Sequence, residues 1–200
     1  MTGLHGVCID DRPLDSRSDV LSWVTSPLVA PLELIGAIEV ALWVGTTAFD
    51  TDFTAKLIDV LPETGLAACP AINITDSIQR CRYRNGYDTA TPMPGPVMMA
   101  PAAEGGYAVP LVFELYPTAV VIQPGHCIRL DISSSNFPRF DVNDNSGAGL
   151  LGASGKPVVA RQRIWHSLKW PSSIRVQTPT AVALAVCAAG DSSRNPPARL

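Results

Sequence analysis

Eighteen prolines spread through 200 residues limit this chain more than any motif does. A proline in a helix interior removes a backbone hydrogen bond and clashes with the preceding turn, at a cost of about 3 kcal/mol. Long helices therefore have little room. The segments between the turn signals are short, rich in Ile, Val, Thr and aromatics, and partly alternating, which is the pattern of half-buried strands. Seven are read this way: Leu32–Gly45, Phe53–Leu61, Ala71–Arg84, Tyr107–Pro117, His126–Ser135, Arg163–Trp170 and Ser172–Pro179. Pro62-Glu63-Thr64-Gly65, Asn85-Gly86, Pro94-Gly95-Pro96 and Pro124-Gly125 supply chain reversals between them. Short strands with Gly/Pro turns and no alternating helices predict an all-β chain, an antiparallel sandwich or jelly roll. Gly65–Pro70 and Val97–Gly106 read as low-charge inserts, and residues 181–200 as a poorly ordered tail.

The length suits one domain with a real core. Only 16% of residues are charged, against about 25% in an average soluble domain, so part of the surface is expected to be covered by another domain or subunit. The net charge of −3, with arginines scattered singly, offers no phosphate-tracking stripe and argues against nucleic acid. The most apolar stretch, Val24–Phe49, is interrupted by Pro27, Pro31, Glu33 and Glu39, which argues against a membrane span. Cys8, Cys69, Cys81, Cys127 and Cys187 form no Cys-x-x-Cys pair and read as reduced thiols. Met1–Asp10 has no signal-peptide pattern, so the expected location is cytoplasmic. Asn73-Ile74-Thr75 is a formal glycosylation sequon, meaningful only after secretion.

Candidate chemistry is thin. Asp141-x-Asn143-x-Asn145 imitates the start of a calcium loop, but Ser146 and Gly152 stand where Gly and a bidentate Glu are required, so an Asn/Asp turn capping its own backbone is the better account. In the Gly-rich run ending at Gly155-Lys156, Pro157 replaces the Ser/Thr of a phosphate loop. His5, His126 and His166 are the histidines, and no G-x-S-x-G elbow accompanies them. Asp50 and Asp52 could be paired carboxylates, though a turn between strands explains them with less. No catalytic residue, metal ligand or cofactor is expected.

Four segments then carry a resemblance: Asp11–Leu28 (DRPLDSRSDVLSWVTSPL), Asp50–Pro62 (DTDFTAKLIDVLP), Ile72–Gly86 (INITDSIQRCRYRNG) and Pro124–Gly147 (PGHCIRLDISSSNFPRFDVNDNSG). They resemble the C-terminal domain of the X-prolyl dipeptidyl-peptidase and cocaine-esterase family of serine hydrolases, over about Asp11 to Thr178. The resemblance implies a jelly-roll β-sandwich, galactose-binding-domain-like, over residues 11–180 after a short lead-in at 1–10. Its first strand or strands are expected to be missing, which makes the chain a fragment. In that family an α/β-hydrolase domain carries the Ser-Asp-His triad and a helical cap covers it. Neither is matched here, so the resemblance implies a chain inactive alone. The expected partner is the hydrolase domain, normally in cis, with a homo-oligomer of the parent enzyme as a further association.

The Asn136, Phe137, Pro138, Arg139, Phe140 and Asp141 run is expected to be a domain-interface or structural turn, plugging aromatics into the sandwich or the hydrolase interface while Arg139 and Asp141 bridge polar groups. A second reading is a free-standing carbohydrate-binding module with Trp23, Trp43, Trp165 and Trp170 stacking on sugar rings, against core packing as the simpler role of those indoles.

Overall fold

The computed structural model describes residues 17–62, 71–95, 108–148, 155–179 and 186–188. The lead-in at 1–10, both inserts, His5, Cys8, Cys69, most of the Gly-rich run before Gly155 and most of the tail lie outside the described residues.

The described residues form nine strands: β1 Leu21–Thr25, β2 Leu32–Thr46, β3 Asp52–Val60, β4 Ala71–Arg80, β5 Val109–Ile122, β6 Cys127–Ser133, β7 Gln162–Trp165, β8 Ser173–Arg175 and β9 Val186–Ala188. They form two antiparallel sheets, β4-β3-β6-β1-β9 (sheet A) and β5-β2-β7 with β8 also paired to β2 (sheet B). The chain is an all-β sandwich. Alternation selects the inward side chains: Leu34, Val40, Leu42 and Val44 from β2 meet Phe53 and Leu57 from β3 in one core, as period-two strands with one buried face require.

The strand boundaries depart from expectation where tertiary contacts intervene. β1 is not among the expected strands; it is five residues long, sets Ser22 and Val24 on the outer face, and is held between β6 and β9. β5 continues past Pro117 to Ile122. The proline is tolerated because β5 is an edge strand and pairs there with the irregular Gly36/Ile38 step of β2, where a ladder N–H is dispensable. Gly36 itself has φ +103°, a backbone conformation that side chains with a Cβ rarely adopt, so glycine suits the step. β4 stops at Arg80 rather than Arg84, giving way to a 3-10 turn at Cys81–Tyr83. β7 ends at Trp165, where Ser167 and Trp170 close a turn through both backbone and hydroxyl hydrogen bonds. β9 falls within the segment read as a poorly ordered tail. Among the described residues no helix is long and apolar enough to cross a membrane.

Candidate functional site

In sheet A the inward set includes Leu57 and Leu130, so their neighbours on β3 and β6 face outward. The register then builds one outer rung, Asp76 opposite Lys56, Lys56 opposite Asp131, and Asp131 opposite Ser22. This outer face is polar yet largely covered: Asp52, Asp76, Arg129 and Asp131 are all buried. Part of the cover is the loop after β6, which is tied to the sheet at two points.

The first tie is the Asn136–Asp141 turn. The Asn136 amide donates to Asp76 Oδ2 at 2.9 Å and Arg139 Nε pairs with Asp76 Oδ1 at 2.9 Å, so a buried carboxylate is met by one neutral and one charged donor. The backbone N–H groups of Arg139 and Phe140 both donate to the Asn136 carbonyl, which winds the segment into a single turn with a cis Phe137–Pro138 bond. The Arg139 guanidinium lies 5.6 Å from the ring centroids of Tyr116 and Phe140. Phe137 is 69% exposed rather than inserted between the sheets, and Pro138 and Asp141 are exposed as well. Of the expected bridging pair, Arg139 holds a buried partner while Asp141 stands at the surface.

The second tie is a buried charge cluster at the start of β3. Asp52 takes a two-pronged pair from Arg80, at 2.9 and 3.0 Å. Asp50 accepts the backbone N–H of Arg82 at 3.1 Å. Arg82 Nε also lies 3.2 Å from Asp50 Oδ2, but its N–H is not aligned for a hydrogen bond, so that contact is one of charge alone. The Asn143 amide joins the two carboxylates, donating to Asp50 at 3.0 Å and Asp52 at 2.8 Å. The hydrogen bond to Asp52 raises the Arg80 pKa further. Burial pushes the Cys81 thiol up, with the charges of Asp50 and Asp52 adding to it. Asp50 and Asp52 are thus more than a turn; they anchor the β2–β3 link, the 3-10 turn and the loop after β6 to one another. Their lone pairs are spent on arginine, amide and backbone donors, which suits holding rather than proton transfer.

The neighbouring Asn/Asp turn caps its own backbone: Asn145 N–H donates to Asn143 Oδ1 at 2.9 Å and Ser146 N–H to Asp144 Oδ1 at 2.9 Å. The Ser146 N–H and hydroxyl hold the Asp144 carboxyl below its ordinary pKa. Among the described residues no group of three or more His, Cys, Asp and Glu is placed to hold a metal ion. His126 is paired with Asp59 at 2.8 Å and joins the end of β3 to the start of β6. The sequon threonine, Thr75, is 7% exposed and donates its hydroxyl to the Tyr116 carbonyl, and the sequon asparagine, Asn73, lies within β4 opposite Ile58.

Sheet B presents a different outer surface. Val40, Leu42 and Val44 point inward, so Ala41 and Trp43 point out, opposite Val112 and Pro110 of β5 and Ser173 and Trp165 of β8 and β7. Trp170 meets Trp165 edge-on with centroids 5.3 Å apart. Trp23 is separate, packed on the core with His166 against its edge. Sequence reasoning singled out neither Asp76, Arg80 nor Lys56. The available signal was alternation: Asp52 and Lys56 share one face of β3, and Asp76 and Arg80 share one face of β4.

Comparison with known proteins gives one pattern. Residues 6–174 match the family described as the X-Pro dipeptidyl-peptidase C-terminal non-catalytic domain. The chain is 36% identical over 155 residues to the cocaine esterase of Rhodococcus sp. (strain MB1 Bresler), covering 78% of this chain but 23% of that protein. Among solved structures it is similar to an α-amino acid ester hydrolase, with a TM-score of 0.74 at 30% identity over 86% of this chain and 27% of the other. An aminopeptidase from the marine sediment archaeon Thaumarchaeota archaeon is similar too, with a TM-score of 0.73 at 27% identity over 86% and 28% of the two chains.

Proposed function

Because the chain belongs to the X-Pro dipeptidyl-peptidase C-terminal non-catalytic domain family, we propose that it serves as the accessory sandwich of a serine hydrolase, packed against an α/β-hydrolase domain that acts on ester, amide or X-Pro acyl bonds. The supporting observation is the apolar strip across β5, β2 and β7, formed by Pro110, Val112, Ala41, Trp43 and Trp165, with Val112 53% exposed. A strip of this kind on a chain of low charge is a surface for a covering domain, and the chain spans only 23% of the esterase it matches. In this reading the Asn136–Asp141 turn is structural: Asn136 and Arg139 latch the loop to Asp76 and so keep the sandwich rigid beneath its partner. The free thiols Cys81 and Cys127 suit a reducing cytoplasm.

The sugar-binding alternative is weaker. Arg163 lies over the Trp165 ring at 5.5 Å and Lys169 over the Trp170 ring at 4.5 Å, so a sugar would first have to displace a cation–π partner from a ring face.

Two measurements test the proposal. Purified alone, the chain should turn over neither p-nitrophenyl acetate nor Gly-Pro-anilide; hydrolysis blocked by a serine-directed inhibitor would overturn the accessory role. Grafted in place of the matching segment of the Rhodococcus esterase, it should support turnover, and Val112→Arg should lower the melting temperature of the graft more than that of the isolated chain. Equal losses in both settings would remove the strip from the interface.

A further inference from the structure

Beside Phe137 the outer face of sheet A opens into a cleft of about 210 Å³ whose walls include Lys56, Asp131, Ser133, Ser135, Asn136 and Phe137. Lys56 stands in the rung between Asp76 and Asp131, yet both aspartates are already held. Asp76 is taken by Asn136 and Arg139, and Asp131 by the Ser22 hydroxyl at 2.6 Å and the Arg129 guanidinium at 2.9 Å. At the rim Arg17 is paired with Asp19. Each of these aspartates thus has a partner of its own other than Lys56. Among the described residues no hydrogen bond or ion pair engages the ammonium of the half-buried Lys56. The Ser133 hydroxyl is spent on Thr54 and the Ser135 carbonyl, whereas the Ser135 hydroxyl has no hydrogen-bond partner among the described residues.

We propose that this cleft binds a small carboxylate with an apolar body. The carboxylate takes the Lys56 ammonium and the Ser135 hydroxyl, and the body lies against the exposed Phe137 ring. A half-buried lysine that no ion pair engages among the described residues gains a charge-assisted pair on binding, and the volume is below that of drug-sized pockets, which limits the ligand to a few carbons beyond the acid. The acid freed by acyl-ester hydrolysis is of this class; that link rests on the function proposed above, while the binding itself does not.

The test uses the chain itself, titrated calorimetrically with benzoate, with its neutral isostere benzamide, and with acetate. Benzoate should saturate in the millimolar range, benzamide should bind at least about tenfold more weakly because it lacks the charge, and acetate should fall between them because it lacks the ring. Lys56→Met should cost benzoate about tenfold in affinity, Phe137→Ala a few-fold, and Lys56→Arg little. Equal binding of benzoate and benzamide, or no saturable binding of benzoate, would overturn the proposal without any variant. Acetate matching benzoate, with Phe137→Ala silent, would overturn the apolar half and identify a point contact of the kind an Asp or Glu of a covering domain makes. Unchanged affinity in a folded Lys56→Met variant would also sink it.

Discussion

Asn143→Ala probes the buried charge cluster most directly. Asn143 is 9% exposed and makes three bonds: its amide donates to Asp50 at 3.0 Å and to Asp52 at 2.8 Å, and its carbonyl accepts the Asn145 N–H at 2.9 Å. A hydrogen bond to a charged group contributes about 1.5–3 kcal/mol and a neutral one about 0.5–1.5 kcal/mol. The full sum is an upper bound, because the bonds share partners and Arg80 and Arg82 still face the two carboxylates. We expect a loss of about 3 kcal/mol, within the range for breaking a buried polar network. With a urea m value of about 2 kcal/mol/M, the unfolding midpoint should fall by about 1.5 M at unchanged m. A loss below about 0.5 kcal/mol would refute the claim that Asn143 ties the loop to the sheet. Asn143→Asp separates charge from shape. It sets a third carboxyl between Asp50 and Asp52, and like charges favour the protonated form. The folded pKa of that new carboxyl then lies above its unfolded value, so the variant should regain stability as pH falls and lose it as pH rises. A flat difference from wild type across the acid range would show that charge plays no part.

Two further perturbations address groups beside these ties. The Cys81 thiol is raised above its ordinary 9.0 by burial, then by Asp50 and Asp52, so the fold holds its proton more tightly than the unfolded chain does. That contribution is complete below about pH 9.0 and is lost as pH rises; the urea midpoint should fall through the alkaline range in wild type and less steeply in Cys81→Ala, and parallel slopes would assign the effect to other groups. Arg139→Ala should cost about 1–2 kcal/mol by thermal melting, more than an exposed ion pair is worth, because it leaves the buried Asp76 carboxylate with Asn136 alone; Arg139→Lys should restore part of this, and a silent Arg139→Ala would show that the turn is held elsewhere.

Much of the fold was legible from local pattern. In sequence β3 and β6 alternate polar with apolar residues and β2 sets an apolar residue inward at every second position of its second half, so each can be read as a strand, although β3 and β6 prove to be buried on both faces. β1 was not so legible: Leu21–Thr25 is short, and the partner of the Ser22 hydroxyl among the described residues, Asp131, is 109 residues away. β5 was cut short at Pro117 because a missing N–H counts against a strand unless the position lies on an edge, and edge position is a property of the sheet rather than of the segment.

By itself the sequence determined the class of the molecule. Prolines too frequent for long helices, turn residues with the required backbone freedom and period-two apolar faces are local properties, and all of them point to an antiparallel sandwich. Only the tertiary structure decided which polar groups matter. Lys56 and Asp76 are 20 positions apart, and Asp131 is another 55 beyond, yet strand register sets all three on one rung. Register arises from long-range pairing, and the energy of a charge depends on which partners and how much water that pairing leaves beside it.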